Sequence, residues 1–118
     1  MKVKTGTKGP KGSSFIIVKL SFTKGLKVIA ITDHDTTNGI DEAYEAIAKY
    51  SEMTLIPGIE LSVDIPGGEI HLLGYFINIY DKSFQKRIEE FRISRVNRAK
   101  SIVEKFNPKW FNFSTIDF

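Results

Sequence analysis

Leu26-Lys27-Val28-Ile29-Ala30-Ile31-Thr32-Asp33-His34-Asp35-Thr36-Thr37-Asn38-Gly39 opens as an apolar, β-branched run and breaks off on Asp-His-Asp. The run from Leu26 to Thr32 has the composition of a buried strand. Asn38-Gly39 reads as the turn that closes it, and the stretch beginning Asp41-Glu42-Ala43-Tyr44 reads as a helix. In α/β folds ligands sit beyond the carboxyl ends of strands, so Asp33, His34 and Asp35 mark the expected site.

Working downstream, Ile40, Ala43, Tyr44 and Ile47 recur at helical spacing within Gly39 to Tyr50. Asp41, Glu42 and Glu45 lie near the start of that helix, where its dipole favours acids. Met53 to Gly58 predicts a short strand, and the brief loop before it predicts a right-handed parallel β-α-β unit. Ile59 to Ile65 then alternates, with Ile59, Leu61 and Val63 on one face and Glu60, Ser62 and Asp64 on the other. Pro66-Gly67-Gly68 supplies a turn and Glu69 to Ile77 returns, giving a β-hairpin with Glu60 on one strand and His71 on the other. Whether those two share a face depends on the register of the hairpin. Asp81 to Phe106 predicts a long amphipathic helix, its buried stripe made of Phe84, Ile88, Phe91, Ala99, Ile102, Val103 and Phe106. Its other faces carry Lys82, Lys86, Arg87, Arg92, Arg95, Arg98, Lys100 and Lys105, and Asn107-Pro108 ends it.

Upstream, Phe15 to Phe22 supports two readings. Its β-branched residues suit a strand, whereas Ser13 or Ser14 as N-cap and Gly25 just past the end would frame a helix. The fit of Gly25 to the strand that follows favours the helix. The chain thus divides into a basic arm over 1–14, an α/β domain over 15–107 and an aromatic-rich tail over 108–118.

A length of 118 residues suits one domain with one core, and 42% hydrophobic and 26% charged residues are ordinary for a soluble protein. No apolar run reaches the roughly 20 residues of a membrane helix, and no secretory signal is visible, so no membrane partner is expected. The absence of cysteine excludes disulfides and thiolate metal sites and fits a cytoplasmic protein. Of the net charge of +3, much is concentrated early: Lys2, Lys4, Lys8, Lys11, Lys19 and Lys24 all precede Asp33, the first acid. That asymmetry suits a phosphate-rich partner, or simply a solvated basic arm.

The chain has two histidines, His34 and His71. His34 reads as a metal ligand flanked by carboxylates, or as a hydrogen-bonded loop histidine with Asp35 capping the next helix. Glu60 follows Pro57-Gly58 at another strand end, yet alternation makes a solvent-facing strand residue the simpler reading. His71 reads equally as an exposed strand residue. Taken together, the three donors suit a divalent ion such as Zn, Mn or Fe. No Gly-rich phosphate loop of the Walker type is present, and no Ser-His-Asp order carries weight. The helix arginines suit either phosphate or a solvated face.

The run Gly25 to Thr36 followed by Gly39 resembles a motif of PHP domains, the polymerase and histidinol phosphatase superfamily of phosphoesterases. Ile56-Pro57-Gly58-Ile59-Glu60-Leu61-Ser62 resembles the next motif, and Glu69-Ile70-His71-Leu72-Leu73-Gly74-Tyr75-Phe76-Ile77 the one after it. Arg95 to Lys105 resembles the helix that follows. The resemblance covers Gly25 to about Asn107 and is closer to the stand-alone phosphoesterases than to the domain inside replicative polymerases. It implies a distorted (β/α)7 barrel of the TIM-like kind, of which this chain would hold a part: a parallel β-α-β core, a hairpin and a long helix. It also implies a hydrolase that cleaves phosphoester small molecules, nucleotides or short nucleic acids with water activated by divalent metal ions (Mn, Zn or Fe, with Mg an option). His34, Glu60 and His71 would be metal ligands, Asp33, His34 and Asp35 the catalytic cluster, and Arg95 and Arg98 the phosphate contacts.

The family's opening Asp-Leu-His-x-His strand has no counterpart: Val3-Lys4-Thr5-Gly6-Thr7-Lys8-Gly9 contains no histidine. The later histidine motifs would fall past Phe118. The expectation is therefore a truncated or impaired metal-dependent phosphoesterase, or alternatively an inactive PHP-like module that binds nucleic acid. Half a barrel would also leave apolar surface uncovered and favour self-association.

Overall fold

The computed structural model describes residues 2–3 and 12–105. The chain is α/β, with elements in the order β1 (Lys2–Val3), α1 (Ser13–Thr23), β2 (Val28–Ile31), α2 (Asn38–Ile47), β3 (Thr54–Ile65), β4 (Gly68–Tyr75) and α3 (Lys82–Lys105). The four strands form one mixed sheet in sequence order, with β1, β2 and β3 parallel and β4 antiparallel to β3. Among the described residues the sheet is open, with β1 and β4 at its edges. β1 falls inside the segment that reads as a basic arm. Ser13 and Ser14 of that segment belong to α1, while Met1, residues 4–11 and residues 106–118 lie outside the described residues.

Phe15 to Phe22 is helical, and α1 ends as its glycine predicts. The Gly25 N–H donates to the Phe22 carbonyl at 2.9 Å and the Leu26 N–H to the Ser21 carbonyl at 3.0 Å, with Gly25 at φ 77. That pair of reversed bonds is a Schellman ending, which needs a left-handed residue at this position. The start differs from expectation. Gly12 occupies the N-cap at φ 98, while Ser13 and Ser14 lie inside the helix. Ser14 is buried instead, and its hydroxyl donates to the Gly39 carbonyl at 2.9 Å, joining α1 to α2.

Ile29 and Ile31 of β2 are fully buried, as β-branched residues packed beneath helices should be. Val18 of α1, Ile40, Ala43 and Ala46 of α2, Met53, Leu55 and Ile79 complete the core. Burying each large aliphatic here contributes about 1.5–3 kcal/mol. Tyr44, expected on the buried face of α2, is 37% exposed, and Ala46 takes its place. Asn38-Gly39 forms the first residues of α2 and not a separate turn, and the helix stops at Ile47, short of Tyr50.

The two short strands expected at Met53–Gly58 and Ile59–Ile65 are one continuous strand. Its first part pairs with β2 and its second with β4. Gly58 makes this possible. A Cβ there would lie 2.7 Å from Thr32 Cγ2 and 2.8 Å from the Gly74 carbonyl, so only glycine lets both neighbours approach.

The expected stripe of α3 is covered only in part, with Phe84, Ala99 and Val103 half-buried. Ile88 is buried, but Phe91 and Ile102 are each 45% exposed. An amphipathic helix buries its stripe only where a second layer faces it, and beyond Ile88 the residues Ala99 and Val103 are covered only in part. Gln85 anchors the first turns instead, donating to Thr37 Oγ1 at 2.8 Å and to the Ile79 carbonyl at 2.7 Å.

Candidate functional site

Beyond Ile31 the β2 backbone leaves the ladder at Thr32 and Asp33 and rejoins β3 at His34, which bridges Glu60. The Glu60 N–H donates to the Asp33 carbonyl and the Asp35 N–H to the Glu60 carbonyl, each at 2.9 Å. These two bonds keep the register already set by Ile31 opposite Pro57. They fix Asp33, His34, Asp35 and Glu60 together at the carboxyl ends of parallel strands. Asp33, Asp35 and Glu60 are each only 4% exposed. The solvent-facing reading of Glu60 is therefore wrong: the parallel neighbour covers what alternation alone leaves open. Asp35 sits at φ 56, a left-handed conformation that Asp tolerates better than most residues. It does not cap α2. The N-cap is Thr37, and the Asn38 N–H is accepted by Thr36 Oγ1 at 3.2 Å.

The hairpin register settles the position of His71. A tight Pro66-Gly67 turn pairs Ile65 with Gly68, which places Ser62 opposite His71 and Glu60 opposite Leu73. Directly opposed residues share a face, so His71 lies on the Glu60 side, diagonally across from it. His71 Nδ1 is 3.4 Å from Glu60 Oε1, and the His34 and His71 rings meet edge-on with centroids 5.7 Å apart. His71 itself stays half exposed on the edge strand.

Two further side chains close on His34. Ser62 Oγ bonds its Nε2, and Arg95, reaching down from α3, donates through Nη1 to His34 Nδ1 and to Asp35 Oδ2. Arg95 Nη1 also lies 3.1 Å from His34 Nε2, so the guanidinium rests against both ring nitrogens. His34 Nδ1 lies 3.0 Å from Asp35 Oδ2, two acceptors bridged by one guanidinium. Ser62 was not singled out from the sequence, although its alternation with Glu60 already put it on this face. Arg98, the other expected phosphate contact, points elsewhere: it pairs with Asp64, both exposed, farther along β3. The expected residues therefore come together, Arg98 excepted.

The donor types at this strand end, two imidazoles and three carboxylates, suit a divalent ion. Their placement does not. Among the described residues no group of three or more such side chains is arranged to hold a metal ion, and a guanidinium stands between His34 and Asp35. As folded, the residues do not fit a bound ion.

No family model matches the chain. It is 38% identical over 88 residues to a 5'-3' exoribonuclease of Haemophilus influenzae, a match covering 75% of this chain and 31% of that protein. It is 29% identical to a 3',5'-nucleoside bisphosphate phosphatase of Chromobacterium violaceum, over 64% of this chain and 26% of that protein. A solved structure described as a metal-dependent phosphoesterase, from Bifidobacterium adolescentis, superposes with a TM-score of 0.70. That match is 27% identical and covers 89% of this chain and 36% of the other. The chain belongs to the PHP family. This PHP chain spans less than a third of the length of the curated relatives it matches. His34, Glu60 and His71 come from the three stretches whose resemblance was read from the sequence and Arg95 from the helix after them, and the fold brings the four together. No helix among the described residues is long and apolar enough to cross a membrane.

Proposed function

We propose that this PHP chain engages phosphate esters, nucleotides or short nucleic acids, at the strand end formed by Asp33, His34, Asp35, Glu60 and His71. The proposal places the chain in a reducing cytoplasm and treats the sheet as part of a distorted (β/α)7 barrel. The observation that carries it is the convergence of His34, Glu60, His71 and Arg95 at the carboxyl end of parallel strands. Ligands collect at that end of α/β folds because the loops there are variable and the strand termini rigid.

The same geometry supports a capacity weighted toward binding. Hydrolysis in this family draws on metal-activated water, and as folded the described residues do not gather an ion. Cations for phosphate come from α3 beside the strand end, whose own groups are three carboxylates and two imidazoles. Arg98 exchanges exposed Asp64 for a phosphate oxygen at little cost, since such exposed pairs contribute only about 0–1 kcal/mol. The basic face of α3, with Lys86, Arg87 and Arg92, extends the attraction by its field.

The test combines two assays on the whole chain. Fluorescence anisotropy with a labelled short RNA is expected to show binding that weakens steeply with salt. Nitrophenol release from bis(p-nitrophenyl) phosphate with added Mn is expected to be slow or absent. Brisk metal-dependent release would establish a competent enzyme in place of a binding module. Neither RNA binding nor release would remove the proposal.

A further inference from the structure

We infer that Arg95 is the resident cation of this site, and that a docked α3 and a divalent ion exclude one another at His34 and Asp35. The inference builds on reading this strand end as the functional site and starts from its misfit to a metal.

Asp35 is buried, and a buried carboxylate without a cation or donors is costly. Arg95 Nη1 answers that need, and it takes up His34 Nδ1 as well. A metal ion would draw on the same kinds of atom, an imidazole nitrogen of His34 and a carboxylate oxygen of Asp35. A guanidinium cannot share them with a doubly charged ion, because the two cations would repel at contact distance in a partly buried setting. One must leave.

Arg95 is built so that it can leave. It lies on α3 beyond Ile88, the one described residue of that helix that is buried. From there to Lys105 the contacts from α3 to the sheet include two ion pairs, Arg95 with Asp35 and Arg98 with Asp64, the latter exposed and open to screening by salt. The Arg95 side chain is itself 46% exposed, so withdrawing it opens no cavity. Helix docking and metal occupancy are thus two states of one site, with Arg95 a positioning residue that decides between them. Metal binding would free the outer helix, and removing Arg95 would leave His34 and Asp35 open to an ion.

Two measurements on the full chain decide this. In metal-free protein, hydrogen exchange over residues 89–105 should quicken several-fold in Asp35→Asn relative to the parent, while Val28–Ile31 stays protected. Unchanged exchange over that helix overturns the inference without involving metal. Calorimetry with zinc ion alone, on the parent and on Arg95→Ala, should show at least about tenfold tighter binding by the variant. Circular dichroism confirms that the variants are folded. Equal zinc affinity overturns the exclusion while leaving metal binding at the site intact. Zinc bound by neither protein overturns the exclusion together with any metal role for this strand end.

Discussion

Tyr80 shows how one hydrogen bond sets a pH dependence. Its hydroxyl donates to Asp41 Oδ1 at 2.8 Å, tying the segment before α3 to α2. That bond, with smaller contributions from desolvation and from the Asp41 charge, holds the phenol above its ordinary 10.0. The folded state therefore binds the proton more tightly than the unfolded state. The bond contributes fully below pH 10.0 and is lost as pH rises through the folded value. Comparing the parent with Tyr80→Phe in urea titrations should show a stability difference that is constant near neutrality and shrinks at alkaline pH. A difference that grows with pH would contradict the assignment. Arg98 carries a second prediction at this level. Arg98→Ala should weaken short-RNA binding a few-fold and lower the salt slope by about one phosphate contact, as read by anisotropy across a salt series. An unchanged slope would remove Arg98 from the phosphate contacts.

Two glycines show that elements impose different demands on the same residue. At Gly25 a Cβ would meet nothing within 4 Å, so the cost of Gly25→Ala is that of the left-handed backbone at φ 77, about 1–2 kcal/mol. At Gly58 the backbone is ordinary and the cost is steric, from Thr32 Cγ2, the Gly74 carbonyl and the Ile31 carbonyl, the last at 3.1 Å. Two of those three are backbone atoms of flanking strands and cannot step aside. Gly58→Ala should cost about 1–3 kcal/mol or more, and it should also disturb the His34–Glu60 bridge close by. Urea midpoints for the two variants test this, with Gly58→Ala expected to fall further. Gly25 was legible in the sequence because helix endings have a local signature. The steric role of Gly58 was not, because it depends on strands contributed by residues 31–32 and 74 at once.

Over the whole molecule, the described residues leave one side of the hairpin without a partner layer. Ile65 is 43% exposed, Ile70 40% and Leu72 51%, all on or beside the edge strand β4. An open edge bordered by apolar side chains is a template for pairing between chains. Sedimentation should show mass rising with protein concentration, and Leu72→Lys should suppress that rise by placing a charge at the edge. Association unaffected by the substitution would move the contact elsewhere, to Phe91 and Ile102 of α3. The exclusion of metal by Arg95 belongs to this level too, since it joins the outer helix to a strand end 60 residues earlier in the chain.

The alternation of strand and helix from β2 to α3, the Schellman ending of α1, the position of Asp33-His34-Asp35 at a strand end and the face shared by Glu60 and Ser62 were all written in local pattern, whereas β1 was not. Each follows from periods of two and 3.6 residues or from the backbone demands of a single turn. The burial of Glu60, the diagonal approach of His71 and the union of two apparent strands into β3 required neighbours remote in sequence. So did the exposure of the α3 stripe, because periodicity records which face is apolar and not whether another layer covers it. The contact of Arg95 with His34 and Asp35 belongs to the same group. A cation on a helix reads alike whether it faces water, phosphate or a buried carboxylate, and only the folded chain shows which of these it meets.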